Sequence, residues 1–282
     1  MKHALAALLL LSPFEMWEFG KSAFAATLSA SNIYFWRNVS YFQTKSELNP
    51  LLMTWSLGVE EQFYAVIPLL MVLVARFRRS WLLAAILTVS VLSFLLATYE
   101  LRSQPVFVFY MLPTRAWELG VGIALAVAEL RPERLHKSAL QANYLSLIGI
   151  VLMLVPIVML KANTPFPGMA ALPTVLGTAL VIAAPFSWNN RRLLSVPPLV
   201  FIGKISYSWY LWHWPMFAFL RIISGGKLQP TAVALAIVAS LGTAILSYFL
   251  IEQPFRKSNQ APAPLLLRYA LVSIAFLLER VS

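Results

Sequence analysis

From residue 55 onward the chain alternates long apolar runs with short loops rich in basic residues. The runs cover 55–75, 81–98, 114–130, 142–160, 169–185, 205–222, 231–251 and 265–279. Each approaches the length of about 20 residues that a helix needs to cross a hydrocarbon core. Ahead of residue 55 the pattern weakens. Residues 22–36 are apolar and aromatic but short, and read equally well as spanning, re-entering or lying flat. Residues 1–12 are shorter still, and residues 1–20 read as the remnant of a truncated helix whose beginning is missing. The pattern predicts an all-α protein, a polytopic transmembrane helix bundle of about eight to ten membrane segments. It forms a single domain over 1–282 that closes on the helix at 265–282.

The loops carry the orientation. Arg76, Arg78 and Arg79, then Arg131, Arg134 and Lys137, then Arg191, Arg192 and Lys204, then Arg256 and Lys257 fall on one side. Arg37, Lys45, Arg102, Lys161 and Lys227 are scattered on the other. By the positive-inside rule the first set is cytoplasmic. Composition agrees with a membrane protein: 60% of the residues are hydrophobic and 12% charged. A net charge of +11 would suit nucleic acid if it lay on one face, but here it is divided among loops, so no nucleic-acid partner is expected. The absence of cysteine excludes disulfides and thiol catalysis, and three histidines without any aspartate argue against a conventional metal cage.

Candidate chemistry sits where polar groups enter apolar runs. Around Thr54, which could cap a helix, Ser56, Glu60 and Tyr64 recur at i, i+4 and i+8 and share a face. Trp55, Leu57, Val59, Phe63 and Val66 occupy the others. An ionised carboxylate inside a bilayer costs roughly 2.5 kcal/mol or more, so Glu60 needs a partner, a wet cavity or headgroup water. Arg115 and Glu118 stand at i and i+3 behind Pro113, either as a local pair or with Arg115 reaching Glu60 across helices; the second arrangement is expected. In the run at 205–222, Ser206, Tyr210 and His213 share a face. Counting from residue 205 puts His213 about 12 Å along the axis, near the midplane. It is either a packed neutral histidine or a functional one. Thr164-Pro165-Phe166-Pro167-Gly168 reads as a rigid turn, and Glu252 is placed to pair with Arg256. No phosphate-binding glycine loop and no nucleophile elbow occurs.

The stretch Asn49-Pro50-Leu51-Leu52-Met53-Thr54-Trp55-Ser56-Leu57-Gly58-Val59-Glu60-Glu61-Gln62-Phe63-Tyr64 closely resembles the signature of the acyltransferase-3 family of integral-membrane O-acyltransferases. Three later stretches agree in order and approximate spacing. They are Pro113-Thr114-Arg115-Ala116-Trp117-Glu118-Leu119-Gly120, Gly203-Lys204-Ile205-Ser206-Tyr207-Ser208-Trp209-Tyr210-Leu211-Trp212-His213-Trp214-Pro215, and Ile251-Glu252-Gln253-Pro254-Phe255-Arg256. The resemblance implies a bacterial cytoplasmic (inner) membrane enzyme that O-acetylates lipopolysaccharide or another surface polysaccharide. It implies acetyl-CoA or another acyl-CoA as donor substrate, no bound cofactor, and an envelope carbohydrate as acceptor. Two departures stand out. Relatives carry histidine where this chain has Met53, and they begin with further helices, one bearing a histidine regarded as catalytic. The chain as it begins at Met1 is therefore expected to transfer little by itself.

Acyl transfer to a hydroxyl needs a base, a held donor and groups that stabilise the oxyanion. His213, Glu60 and Arg115 are the candidate catalytic residues: base, its orienter or a sugar ligand, and a binder of phosphate or developing charge. Trp55, Ser56, Tyr64, Glu118, Ser206, Tyr210 and Trp214 are the candidate substrate-binding residues. A transporter of small molecules or lipid-linked sugars, or a non-catalytic membrane partner, is the alternative. A transporter would show paired, broken segments in related halves, which the sequence does not display.

Overall fold

The computed structural model describes residues 11–38, 48–78, 81–129, 138–161, 163–226 and 228–257. His3, His136, Lys227, the Arg131–Lys137 loop and the run at 265–279 lie outside them. The described residues are almost wholly helical and contain no strand. In chain order the helices are α1 (Pro13–Thr27), α2 (Ser31–Asn38), α3 (Thr54–Arg78), α4 (Leu82–Glu100), α5 (Pro105–Tyr110), α6 (Leu112–Glu129), α7 (Ala139–Met159), α8 (Gly168–Ile182), α9 (Pro197–Ile223), α10 (Pro230–Ser247) and α11 (Gln253–Lys257). Two π-helical turns, Asn190–Leu194 and Tyr248–Glu252, precede α9 and α11.

Among the described residues, four segments are long and apolar enough to cross a membrane: Thr54–Arg76, Leu82–Glu100, Ala139–Met159 and Pro230–Arg256. Helices α6 and α9 are of similar length but carry charge within it, at Arg115 and Glu118 and at Lys204 and Arg221. Helix α8 is apolar and shorter. The outward side chains of α7 and α10, Val158 and Leu235 among them, are large, aliphatic and exposed, as a lipid-facing surface requires.

Three boundaries differ from the sequence reading. Most of the stretch 1–20 read as a helix remnant lies outside the described residues; within them α1 begins at Pro13, with Ser12 as its N-cap. Ser12 Oγ accepts the Glu15 N–H at 3.4 Å while Glu15 Oε2 accepts the Ser12 N–H at 2.8 Å, a reciprocal cap. Residues 22–36 divide between α1 and α2, which break at Ser29 with φ of 55°. Thr54 does not cap α3; it is the first helical residue, and its hydroxyl donates to the Leu51 carbonyl at 2.7 Å. Helix α9 begins at Pro197 rather than 205, since Pro197 and Pro198 are tolerated in the first turn. His213 is thus sixteen residues (213 − 197) into the helix, about 24 Å along it at 1.5 Å per residue. In a helix of 27 residues, about 40 Å long at that rise, this is just past the middle.

Small residues set the helix spacing. In the α4–α6 pair, Ser93 Oγ accepts the Trp117 N–H at 3.1 Å, and a Cβ on Gly120 would lie 2.2 Å from Ser90 Oγ. In the α7–α8 pair, a Cβ on Gly149 would lie 2.6 Å from the Gly177 carbonyl oxygen, and one on Gly177 the same distance from Gly149. Both registers run antiparallel. Close backbone approach of this kind substitutes for the hydrophobic drive that lipid does not provide between helices. The proline-rich turn before α8 ends on Gly168 at φ of +50°, a conformation that suits glycine, packed against Leu101. The heads of α3, α6 and α8 and the tail of α4 therefore share one end of the bundle.

Replacing Gly149 or Gly177 with leucine should destabilise the detergent-solubilised protein by about 1–3 kcal/mol through overpacking. Alanine at Gly122 or Gly203, where nothing lies within 4 Å, should leave the thermal unfolding midpoint unchanged. Equal midpoints for both classes would contradict this packing.

Candidate active site

At the shared end, an aromatic core forms from Phe35 on α2, Leu52, Trp55 and Val59 at the head of α3, and Phe109 and Tyr110 on α5. Trp55, Val59, Phe63 and Ile67 make the buried stripe of α3, spaced four residues apart. Gly58 lets α2 approach closely: a Cβ there would meet Asn32 Oδ1 at 2.9 Å. Behind it Asn32 and Gln62 exchange hydrogen bonds at 3.2 and 2.9 Å, and Asn32 Nδ2 also donates to the Tyr110 carbonyl at 3.2 Å. This amide pair fixes α2, α3 and α5 to one another. Neither Asn32 nor Gln62 stood out in the sequence, where each is a single polar position beside stronger motifs.

Arg115 lies against this core. Its guanidinium sits 4.9 Å from the Trp55 ring centre and 5.5 Å from that of Phe109, and Nη1 donates to the Phe109 carbonyl at 3.2 Å. Nη2 and Nε both donate to Glu118 Oε2, at 2.8 and 3.3 Å. The expected pairing of Arg115 with Glu60 is therefore corrected. One helical turn brings Glu118 to Arg115, and with 13% and 19% of their side chains exposed the pair is largely desolvated. Glu118 Oε1 and Trp55 Nε1 are buried with no hydrogen-bond partner among the described residues. An acceptor and a donor thus stand beside the arginine with their bonding capacity unused.

Helix α9 joins from the other side. The Tyr210 hydroxyl lies 2.6 Å from Ser56 Oγ and 2.9 Å from the Met53 carbonyl oxygen, to which it donates. Trp214 Nε1 donates to the Asn49 carbonyl at 2.9 Å, and its ring packs on the aromatic core. Together these contacts seat α9 on the head of α3. His213 lies between Tyr210 and Trp214 in sequence; its ring centre is 5.6 Å from that of Tyr210. Its Nδ1 faces the Trp209 carbonyl at 3.2 Å. A proton on Nδ1 satisfies that contact and leaves Nε2 as the basic nitrogen. Lower on α9, Ser208 Oγ donates to Glu252 Oε2 at 2.8 Å, while Arg256 reaches Glu252 Oε1 at 3.2 Å. The Glu252–Arg256 pair anticipated from the sequence is present, with Ser208 as an added partner.

Of the sequence candidates, the structure brings Trp55, Arg115 and Glu118 together, and Ser56, Tyr210, His213 and Trp214 together on the adjoining side of α3. Three stand apart. Glu60 is half-buried one turn below Ser56, without an ion pair or hydrogen bond among the described residues. Tyr64 is exposed a further turn down. Ser206 is exposed, and its hydroxyl donates to the Gly203 carbonyl of its own helix at 2.8 Å, so Ser208 rather than Ser206 is the serine of α9 that faces the bundle.

The fold and this cluster define a multi-pass helical membrane protein with an arginine–carboxylate pair and a histidine gathered at one end of the bundle. The family model of the acyltransferase-3 domain, described as an acyltransferase domain, matches residues 5–252, and the chain belongs to that family. It is 30% identical over 251 residues to the peptidoglycan O-acetyltransferase OatA of Listeria monocytogenes, covering 84% of this chain and 40% of that protein. It is 30% identical over 262 residues to the putative membrane-bound transacylase BcsY of Komagataeibacter xylinus, covering 89% of this chain and 63% of that one. A putative O-acetyltransferase of Staphylococcus aureus strain COL is 31% identical over 242 residues, with coverages of 80% and 39%. The chain thus spans about two fifths to three fifths of the length of these relatives. No solved structure matches it.

Removing the Tyr210 hydroxyl by Tyr210→Phe takes away its bonds to Ser56 and the Met53 carbonyl and leaves the 3.3 Å bond that Ser56 Oγ donates to that carbonyl. It should cost about 0.5–1.5 kcal/mol, read as a lowered unfolding midpoint of the solubilised protein. Ser206→Ala should cost nothing measurable. A Tyr210→Phe protein as stable as the parent would remove the hydroxyl as the link between α3 and α9.

Proposed function

We propose that this chain is an O-acyltransferase of the bacterial cytoplasmic membrane, moving an acyl group, acetyl in the simplest case, from acetyl-CoA to a hydroxyl of a cell-envelope glycan or glycolipid. The observation that carries the reading is the pair of unused polar atoms, Glu118 Oε1 and Trp55 Nε1, buried beside Arg115 against aromatic rings. A buried polar group left without a partner costs about 1–3 kcal/mol, so a ligand that supplied the missing bonds would be stabilised beside Arg115. One acceptor and one donor over an aromatic surface match the alternation of hydroxyls and apolar faces on a sugar. The relatives support the same reading, OatA in acting on peptidoglycan and the Staphylococcus protein in its O-acetyltransferase description.

In this reading His213 Nε2 takes the proton of the acceptor hydroxyl as its oxygen attacks the thioester carbonyl. The new O–C bond forms, the C–S bond breaks, and the departing thiolate of CoA takes up a proton. Arg115 holds Glu118 in place and contributes fixed positive charge near the developing oxyanion. Glu60, unpaired one turn below Ser56, is a second acceptor for substrate hydroxyls. The loop charges orient the heads of α3, α6 and α8 outward, toward the envelope glycan, and the acyl end of the cytosolic donor reaches His213, part-way along α9, from the side of the basic loops.

Membranes carrying the whole protein and radiolabelled acetyl-CoA test both halves. His213→Gln should lower transfer to glycan roughly 10²- to 10⁴-fold, the usual contribution of a positioned base, with membrane levels preserved. Unchanged transfer would return His213 to packing. A cysteine replacing Lys161 should react with an impermeant thiol reagent added outside, and one replacing Arg192 should not; the reverse pattern would invert the orientation.

A further inference from the structure

We infer that a cleft at the opposite end of the bundle binds the headgroup of an anionic phospholipid. The cleft has a volume of about 540 Å³ and is lined by Ala139, Asn143, Phe186, Trp188, Arg191 and Arg192. It lies where α7 begins, α8 ends and the π-helical turn Asn190–Leu194 leads into α9, the end that bears the basic loops.

Its walls are held by a polar network that lies clear of the acyl-transfer cluster. Asn143 Oδ1 accepts the Trp188 N–H at 2.6 Å, and Asn189 Nδ2 donates to the Asn143 carbonyl at 3.2 Å. Ser146 Oγ donates to Asn190 Oδ1 at 2.6 Å, and Asn190 Nδ2 donates to the Val181 carbonyl at 2.8 Å. The segment after α8 is thus pinned to α7, with Ser187 fully buried beneath it. A loop so tied does not leave its arginines where they are by slackness.

Three properties select the ligand. Arg191 and Arg192 are adjacent, exposed and without a carboxylate partner among the described residues. Two guanidinium groups at one opening suit a phosphate, which takes forked hydrogen bonds from each. Phe186 and Trp188 flank them at 84% and 58% exposure. Rings so placed would waste their apolar surface in water, but at the level of the headgroups they sit in the boundary where aromatic side chains are favoured. A basic pocket between helix ends on the cytoplasmic side is the setting in which anionic headgroups are recognised. A soluble phosphate compound would use the arginines and leave the two rings uncovered, so the lipid accounts for more of the cleft.

The inference stands apart from the acyl-transfer reading, and its test does not measure transfer. The whole protein is extracted in mild detergent from membranes containing phosphatidylglycerol and phosphatidylcholine, and retained lipid is measured by native mass spectrometry. The parent should retain phosphatidylglycerol preferentially. Arg191→Gln with Arg192→Gln should reduce that retention by about tenfold or more, and Trp188→Ala should also lower it. Removing two charges elsewhere, by Arg76→Gln with Lys204→Gln, should not. Equal retention by the parent and the Arg191/Arg192 variant would overturn the inference. Release of the bound lipid by inorganic phosphate or adenosine 3′,5′-bisphosphate would also overturn it, and would mark the cleft as a site for soluble phosphates.

Discussion

The hydroxyl of Tyr210 is the small group on which the arrangement of the candidate site depends. Helix α9 carries the histidine and α3 carries the aromatic core, and they meet through Tyr210 to Ser56 and Met53 and through Trp214 to Asn49. In an apolar surround, each of these polar atoms would be costly alone, so they hold one another in register. A slip of one residue along α9 would break both contacts at once. The docking therefore fixes both how deep His213 lies in the bundle and which way it points.

Arg115 obeys the same constraint on the other side of α3. Its charge is met by Glu118, the Phe109 carbonyl and the Trp55 ring, so the cation is spent within its own end of the bundle rather than on a distant helix. Glu118 keeps one oxygen in reserve, as does the Trp55 indole its N–H. A pair that was fully satisfied would read as structural. One held in place yet with bonding capacity left over is the observation on which the proposed acceptor surface rests.

The sequence made the helical architecture legible because apolar runs of spanning length leave little alternative, and the Ser56, Tyr210 and Trp214 positions emerged from motif and face. What it could not show follows from distance and from local rules. Asn32 and Gln62 lie thirty residues apart (62 − 32), and only the folded chain reveals that they bond. Ser206 and Ser208 are equally serine; burial alone distinguishes them. The start of α9 lies earlier than apolar character alone suggests, because Pro197 and Pro198 begin a helix comfortably. Depth in the membrane pairs Arg115 with Glu60, yet a partner one turn away on the same helix, Glu118, is easier to reach.

The register of α9 against α3 is the claim from which the rest follows, and the chain's lack of cysteine makes it directly measurable. Paired replacements, Asn49→Cys with Trp214→Cys, leave the Tyr210 hydroxyl in place and are to be treated in native membranes with a short bifunctional thiol reagent and scored for an internal cross-link. The seated arrangement predicts efficient linkage for this pair and little for Asn49→Cys with Ser206→Cys, whose second position faces away. Efficient linkage through position 206 with none through 214 would contradict it, and would separate His213 from the head of α3.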